Sequence, residues 1–243
     1  LMAGLAWLAT WPLASVRLPM PPWPLAALAT AGAALCCLPW PRAWRLWGAL
    51  ALLPVLLWQT PRPPPGAFEL LAADVGQGNA VLLRTAHHTL LYDAGPRYSP
   101  ESDAGHRVLV PLLAQSNEAV DLLILSHRDS DHTGGASAVL AMQPQAQLWS
   151  SLEATHPLVQ RPGHVRCEVG QRWVWDGVQF EVLHPLAQSA APKPNALSCV
   201  LRVQGAEASA LLAGDIEAAQ ERELLARGLS PVDWLLVPHH GSK

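Results

Sequence analysis

The sequence predicts an α/β domain preceded by transmembrane α-helices, and three observations lead to this prediction. Residues 1–65 contain no Asp or Glu, whereas all 19 acidic residues lie beyond them. In that later part, pairs of short apolar segments are interleaved with helical segments, as expected of two sheets faced by helices. One predicted buried strand stops at four potential metal ligands and is followed by a Gly-Gly pair.

Three apolar runs rich in Leu, Ala and Trp fill most of the first 60 residues. They are Leu1–Val16, Pro24–Trp40 and Trp44–Trp58. No run shows a polar face, and Trp and Pro lie near the ends, as membrane interfaces favour. A secretory signal would explain one such run but not three in succession. We therefore predict that residues 1–60 form transmembrane helices.

The arginines of this segment predict its orientation. Arg42 and Arg45 lie in the short loop between the second and third runs, and positive residues of short loops tend to stay in the cytoplasm. The third run would then carry the chain outward, so that everything after Thr60 lies on the outer side, which is the periplasm of a double-membrane bacterium. Arg17 favours the opposite orientation, so the margin is a single arginine.

A proline-rich stretch at residues 61–66 marks the predicted domain boundary. It cannot continue a helix and favours a stiff, extended connector. The domain that follows, residues 67–243, ends at a polar cluster directly after the apolar run Trp234–Val237. Because a domain seldom finishes on what resembles a site loop, we expect the chain to be a fragment whose second domain is incomplete at its C-terminus.

The four cysteines give no indication of compartment. Cys36 and Cys37 are adjacent within a predicted span, whereas Cys167 and Cys199 could pair but show no C-x-x-C spacing. Neither a disulfide nor metal ligation is predicted for them.

The first three strands of the domain are predicted to form an antiparallel meander. They are Phe68–Val75, Ala80–Arg84 and Thr89–Tyr92. The turn after the first strand reads Asp74-Val75-Gly76-Gln77-Gly78-Asn79, and its glycines suit positive φ angles. No helix signal follows it, so it is a weak candidate for a phosphate loop. Asp93-Ala94-Gly95 follows the third strand in the same way.

The potential metal ligands follow the next predicted strand. Pro96–Arg107 is expected to be an exposed loop, and a short helix over Val108–Gln115 leads to the buried strand Val120–Leu125. A helix over Gly135–Met142 is predicted after the ligands, which are His127, Asp129, Asp131 and His132. Carboxylates and imidazoles held this close would repel each other or lose hydration, and a divalent cation would offset both penalties.

The last third of the chain is predicted to contain two hairpins, a helix and a final strand. The first hairpin pairs Trp173–Trp175 with Val178–Leu183 around Asp176-Gly177, and the second pairs Val200–Val203 with Ala208–Leu212. Ala213-Gly214-Asp215 ends the second hairpin. The remaining predicted elements are an amphipathic helix over Ile216–Arg227 closed by Gly228, and a strand over Val232–Val237 that runs into His239-His240.

Five sequence elements in order resemble the carboxy-terminal domain of the ComEC family of DNA-internalisation competence proteins. They are D-V-G-Q-G-N, Y-D-A-G, S-H-R-D-S-D-H-T-G-G, L-L-A-G-D and L-L-V-P-H-H-G-S. The apolar runs before them resemble the end of the family's membrane channel. The resemblance implies an αββα metallo-β-lactamase fold, incomplete at its C-terminus, that is preceded by transmembrane helices of a DNA-uptake channel in the bacterial inner membrane.

The resemblance also implies roles for individual residues. His127, Asp129, Asp131 and His132 are expected to be metal ligands, Asp215 the bridging carboxylate and His239 a late ligand. His240 could exchange roles with His239, and Asp131 and His240 are the residues expected to take part in catalysis. Asp74, Gln77 and Asp93 belong to the site loops, with Asp93 more often a brace than a ligand. The family's usual histidine before the Gly-Asp element is missing, since Asn195–Ser198 occupies that region.

These residues predict a hydrolase that uses divalent metal ions. Two cations, manganese or zinc, would activate a water and neutralise charge on a phosphoryl oxygen. The resemblance to the ComEC family implies that the substrate is single-stranded DNA, namely the strand that is not transported, and that the partners are the membrane and other components of the DNA-uptake machinery. Two alternatives remain open: a hydrolase of small esters or phosphodiesters, and a non-catalytic module of the DNA channel. The acidic balance after residue 65 does not favour nucleic-acid binding.

Overall fold

The chain is divided into two compact units. The computed structural model describes residues 2–11, 14, 16, 18–187 and 193–241. The first unit consists of Leu1–Pro61 and Leu112–Glu118, and the second consists of Arg62–Pro111 and Ala119–Lys243. The first boundary between the units, between Pro61 and Arg62, falls within the predicted connector, residues 61–66.

The N-terminal part of the first unit is helical. Its helices are α1 (Met2–Ala9), α2 (Trp23–Cys37), α3 (Arg42–Leu50) and α4 (Leu53–Leu56). Helices α2 and α3 touch at their glycines, because a Cβ atom on Gly32 would lie 2.6 Å from the carbonyl oxygen of Gly48. A Cβ atom on Gly48 would meet the oxygen of Gly32 at 2.6 Å in return. The two glycines therefore allow direct backbone packing.

The predicted transmembrane helices are not confirmed. Among the helices of the described residues, none combines the length and the apolar sequence required to cross a bilayer. Prolines shorten the runs: α2 stops before Leu38, whose ψ of 151° is extended and which precedes Pro39. The third run is divided between α3 and α4, with Pro54 in the first turn of α4.

The second unit contains two large β-sheets and one small one. In chain order the strands are β1 (Glu69–Ala72), β2 (Val81–Arg84), β3 (Thr89–Tyr92), β4 (Arg97–Ser99), β5 (Ser102–Asp103), β6 (Leu122–Leu125), β7 (Gln147–Ser150), β8 (Val165–Arg166), β9 (Arg172–Trp175), β10 (Val178–His184), β11 (Val200–Gln204), β12 (Ser209–Leu212) and β13 (Trp234–Leu236). The first sheet has the order β1-β2-β3-β6-β7-β8 and the second has the order β13-β12-β11-β10-β9. Strands β4 and β5 form the small sheet.

Most of the predicted strands and pairings are confirmed. The meander β1-β2-β3 is antiparallel, and so are the hairpins β9-β10 and β11-β12. The loop predicted over Pro96–Arg107 is wrong in part, because it contains the hairpin β4-β5 and the start of a π-helical turn over Gly105–Leu109. Strands β7 and β8 carry no clear sequence signal, since each is short and flanked by polar or turn residues.

The described residues of this part of the chain also form four α-helices. They are α5 (Val110–Ser116), α6 (Ser130–Thr133), α7 (Ala136–Met142) and α8 (Ala218–Ala226). Helix α7 confirms the helix predicted after the ligand cluster. Helix α8 begins two residues later than predicted, because Glu217 and Gln220 form a capping box at its N-terminus. Leu224 of α8 packs with Val200 and Leu211 of the second sheet.

The main core lies between the two large sheets. Alternate residues of β10, namely Val178, Phe180 and Val182, are buried together with Leu90 of β3 and Ile124 of β6. A disulfide joins Cys167 to Cys199 within this core, with 5.9 Å between their Cα atoms. The pairing of these two cysteines is left open by the sequence analysis, because they belong to different sheets and are 32 residues apart in the chain.

The connector is hydrogen-bonded to the second unit at the end where β3 and β12 begin. The Gly66 N–H donates to the carbonyl oxygen of Asp176 at 2.6 Å, and the Ala206 N–H donates to Gly66 at 2.8 Å. The Arg62 guanidinium donates to the carbonyl oxygens of Thr85 and His88 at 3.0 and 3.1 Å. The chain thus enters this unit at the end of the sheets opposite to the carboxyl ends of β3, β6 and β12.

Candidate metal centre

Three strand ends bring the candidate ligands together. Strands β3 and β6 are parallel neighbours, so Asp93 and His127 follow their strands at the same edge of the first sheet. Asp215 follows β12 in the second sheet. All three side chains are buried, with exposures of 0%, 1% and 2%. Polar groups buried to this degree require hydrogen bonds or a cation as compensation.

Two imidazoles and one carboxylate form the closest group of donors. One ligand atom each from His127, His132 and Asp215 lie within 4.8 Å of one another. The His132 Nε2 atom is 3.3 Å from Asp215 Oδ2, and the two imidazole rings are 4.2 Å apart at their centres. The structure therefore unites three of the residues that the sequence predicts as ligands.

Asp93 fixes the orientation of His132. Its Oδ2 atom is 2.7 Å from His132 Nδ1 and accepts a hydrogen bond from Ser126 Oγ at 2.9 Å. Its Oδ1 atom accepts the Ser126 N–H at 2.7 Å. Asp93 adopts a left-handed backbone conformation with φ of 60°. A carboxylate that holds one imidazole nitrogen directs the other nitrogen toward the metal position in many protein metal sites.

The pKa values of the two histidines move in opposite directions. Burial alone would lower the pKa of His132, but the charges and hydrogen bonds of Asp93 and Asp215 outweigh it and raise that pKa to about 10. Burial lowers the pKa of His127, and the positive charge of His132 lowers it further against the opposing carboxylates. The two carboxylates therefore favour the positively charged form of His132.

The donor set fits a divalent cation. Imidazole nitrogens and carboxylate oxygens are ligands of zinc and manganese. The Nε2 atom of His127 is buried and has no hydrogen-bond partner among the described residues. A cation bound by this nitrogen would compensate its burial and would replace the proton of His132 as the balancing charge.

Asp129 and Asp131 lie at the rim of this group. Asp129 Oδ2 is 3.5 Å from His127 Nε2, and Asp131 Oδ2 is 3.7 Å from His132 Nε2. Their side chains are 44% and 36% exposed. Both carboxylates are next to the buried group but do not belong to it. This position is suitable for ligands that complete a metal site from its solvent-exposed side.

Glycines allow the surrounding turns to approach the ligand segment. A Cβ atom on Gly78 would lie 2.3 Å from the carbonyl oxygen of Asp131, and the Asn79 N–H donates to the same oxygen at 3.3 Å. A Cβ atom on Gly134 would lie 2.1 Å from the backbone nitrogen of Arg97. The turn containing Gly78 therefore packs directly against the ligand segment.

Asp74, Gln77 and His239 do not belong to the group formed by His127, His132 and Asp215. Asp74 and Gln77 are exposed on the turn before Gly78, where Asp74 Oδ1 accepts the Gly76 N–H at 3.3 Å. His239 lies in the 3-10 turn Pro238–Gly241 and has a φ of 51°. The side chain of His240 is outside the described part of the structure. The roles expected of these residues stay predictions.

Two serines support the site without a signal in the sequence. The backbone N–H and the hydroxyl of Ser126 donate hydrogen bonds to the Asp93 carboxylate. The Oγ atom of Ser126 is also 3.0 Å from Nδ1 of His127. Ser198 accepts the backbone N–H of Asp215 at 3.1 Å. Serine is common in loops, so only the folded arrangement distinguishes these two from the others.

Comparison with known proteins gives one family match and several relatives. The sequence model of the family described as "Metallo-beta-lactamase superfamily" matches residues 73–243. "Uncharacterized protein YcaI" of Escherichia coli is 36% identical over 220 residues, which are 90% of this chain and 26% of the relative. "Recombination protein 2" of Haemophilus influenzae is 38% identical over 170 residues, or 70% of this chain and 21% of the relative.

A third relative is named as a competence protein. "Competence protein ComA" of Neisseria gonorrhoeae is 34% identical over 224 residues, or 91% of this chain and 30% of the relative. The chain thus spans between 21% and 30% of the length of these three relatives.

Solved structures show the same fold at low sequence identity. "MIM-2 Metallo-Beta-Lactamase" has a TM-score of 0.51 and 16% identity, covering 73% of this chain and 75% of its own. MEM-A1, a subclass B3 metallo-beta-lactamase from a soil metagenome library, has a TM-score of 0.50 and 15% identity, covering 74% and 80%.

Proposed function

Because the chain belongs to the metallo-beta-lactamase superfamily, we propose that its second unit is a metal-dependent hydrolase that acts during bacterial DNA uptake. The proposed substrate is single-stranded DNA, and the proposed reaction is hydrolysis of phosphodiester bonds in the strand that is not transported. The observation that carries the proposal is the buried group of His127, His132 and Asp215 with Asp93 behind it. Relatives with names from recombination and competence support the biological setting.

Each residue of the centre has a role in this proposal. His127, His132 and Asp215 would hold manganese or zinc, while Asp129, Asp131 and His239 would complete the coordination of two ions. Bound divalent ions would lower the pKa of a water molecule and neutralise charge on a phosphoryl oxygen. Asp93 keeps the imidazole of His132 in one orientation through its hydrogen bond to Nδ1. Asp131 and His240 are proposed to move protons during the reaction.

We also propose a location for the hydrolase at the outer face of the bacterial inner membrane. The buried Cys167–Cys199 disulfide supports an oxidising compartment such as the periplasm. Exposed Trp23, Trp47 and Leu57 in the first unit support contact with a membrane. Membership of the ComEC family, multi-pass insertion and contact with other components of the uptake machinery belong to the same proposal.

A second candidate function is a non-catalytic module of the DNA channel. It is favoured by Asn195–Ser198, where the resemblance leads one to expect a histidine. Hydrolysis of small esters or phosphodiesters is a further alternative, because one fold can host many reactions.

Turnover by matched variants tests these functions. The full chain, loaded with Mn²⁺ or Zn²⁺, would be incubated with single-stranded DNA, duplex DNA, bis(p-nitrophenyl) phosphate and an ester. The proposal expects metal-dependent cleavage of single-stranded DNA and a loss of about 100-fold or more in Asp215→Asn. His106→Ala is the control, because the side chain of His106 is 70% exposed in the π-helical turn over Gly105–Leu109. Metal binding without cleavage of any substrate would favour the non-catalytic module.

A further inference from the structure

The ligands of the proposed metal centre come from two different sheets. His127 and His132 follow β6 of the first sheet, whereas Asp215 follows β12 of the second. Apolar contacts hold the sheets together, and such contacts are not directional. Metal coordination tolerates errors of only about 0.2 Å in ligand distances. A further fixed point between the sheets, near the ends that carry these residues, would help to hold the donors at such distances.

A covalent bond crosses between the sheets close to these ends. Cys167 follows β8 at the edge of the first sheet, and its N–H donates to Ser150 of β7 at 2.8 Å. Cys199 directly precedes β11 in the middle of the second sheet. The two residues form a disulfide, and both have 0% exposure.

The backbone of Cys199 is bonded to the first sheet beside the site residues. Its N–H donates to the carbonyl oxygen of Ser126 at 2.8 Å, and its carbonyl oxygen accepts the Tyr92 hydroxyl at 2.7 Å. Ser126 precedes His127, and Tyr92 precedes Asp93. Burial, followed by the charges of Asp93 and Asp215, raises the pKa of Tyr92 well above its usual value, so the hydroxyl remains a donor.

The residue before Cys199 determines the position of Asp215. Ser198 Oγ accepts the Asp215 N–H at 3.1 Å. A Cβ atom on Gly214 would lie 2.9 Å from the Cβ of Ser126 and 3.0 Å from the Cβ of Ser198. The turn that carries Asp215 is therefore confined between Ser126 of one sheet and Ser198 of the other.

We propose that the Cys167–Cys199 disulfide is a positioning element of the metal centre. It holds Ser198 and Cys199 against Ser126, so that Asp215 meets His127 and His132 at coordination distance. This inference rests on the proposed metal-binding function and adds that metal affinity depends on a covalent link that makes no contact with the metal. A disulfide that contributes to stability alone would leave metal affinity unchanged.

Metal titration of a disulfide-free variant tests the proposal. The full 243-residue chain and its Cys167→Ala/Cys199→Ala variant would be titrated with Mn²⁺ and Zn²⁺ against a chromophoric chelator. We expect the dissociation constants to rise by about tenfold or more, as when groups that support metal ligands are removed. Val203→Ala, which removes a fully buried side chain from the same core, is the control and is expected to change them less than about threefold.

Further measurements keep the test decisive. Tyr92→Phe retains the ring and the disulfide but removes the hydrogen bond to the Cys199 carbonyl oxygen. It should weaken metal binding by more than the threefold limit set for Val203→Ala, even if the double variant does not fold, at roughly five- to tenfold. Unfolded wild-type protein should show the two reactive thiols of Cys36 and Cys37, and four would overturn the inference. Unchanged affinity in Tyr92→Phe, or in a folded double variant, would also overturn it while leaving the metal centre intact. A wild-type chain that binds neither metal would overturn both.

Discussion

At the scale of single residues, the site depends on how each buried charge is compensated. Asp93 is fully buried, and its carboxylate takes part in three hydrogen bonds, two with Ser126 and one with His132. These bonds compensate the negative charge of Asp93. The backbone N–H of Asp215 donates to Ser198 Oγ, and the carboxylate of Asp215 faces His132. His132 and Asp215, two candidate ligands, are thus each held by a neighbour that is not expected to bind the metal, as outer residues orient ligands in protein metal sites.

Replacing Asp93 by asparagine should weaken metal binding without removing a ligand. Asparagine has nearly the same shape and tolerates the left-handed backbone conformation, but it removes the negative charge that supports His132. We expect the dissociation constant for Mn²⁺ or Zn²⁺ to rise by about 10- to 100-fold, as measured by chelator competition. Asp103→Asn, on the hairpin β4-β5, should leave the constant unchanged. Equal affinities of wild type and Asp93→Asn would show that Asp93 does not support the site.

Asp176 is expected to make stability depend on pH. Burial alone would raise its pKa, but hydrogen bonds from Thr85 and from the His87 backbone and ring hold that pKa well below its usual value of 3.8. Because the folded pKa is depressed, the stabilisation is fully present above pH 3.8 and is lost as the pH falls through the folded pKa.

Asp176→Asn isolates this contribution, since asparagine tolerates the φ of 50° at this turn. The variant should melt at a lower temperature than the wild type at pH 7, and the difference should shrink as the pH falls below about 3.8. Thermal melts of both proteins, from pH 7 to below about pH 3.8, measure this difference in melting temperature. A difference that stays constant from neutral to acidic pH would contradict the assignment.

At the scale of elements, the turns before the ligand segment must approach it closely. Gly78 has a φ of 125° and leaves no room for a side chain beside Asp131, whereas Gly163 has a φ of 80° with nothing within 4 Å. Both backbones favour glycine, but only one turn is packed against the site.

These two glycines form a matched pair for substitution. Gly163→Ala should cost about 1 kcal/mol from backbone strain alone. Gly78→Ala adds a clash with backbone and should cost about 2–4 kcal/mol, with weaker metal binding because Asp131 is displaced. Urea unfolding and metal titration of both variants measure the difference. Equal losses would mean that the turn containing Gly78 does not constrain the ligand segment.

At the scale of the whole molecule, local patterns predict the strands and pairings better than they predict long-range contacts. The meander, both hairpins and helix α7 follow from short apolar segments and turn residues. The clustering of potential ligands after one strand predicts His127 and His132 as candidates, whereas Asp215 is expected only from the resemblance to the ComEC family.

Other features depend on the folded arrangement and leave no local pattern. The disulfide and the bonds of Ser126 to Asp93 and Cys199 join segments that are 32, 33 and 73 residues apart in the sequence. Strand β7 pairs with β6, and β8 pairs with β7. These pairings stabilise two short strands whose own sequences do not predict them. Prolines limit the lengths of α2 and α3. The average apolar composition of a long run does not reveal these helix ends.

The metal centre itself is the central claim, and X-ray absorption at the zinc edge of the Zn²⁺-loaded full chain tests it most directly. We expect a coordination shell with two imidazole nitrogens at about 2.0–2.1 Å and carboxylate oxygens, and loss of stoichiometric binding in Asp215→Ala. Failure of the wild type to bind zinc stoichiometrically, or a shell without imidazole that Asp215→Ala leaves unchanged, would contradict the account.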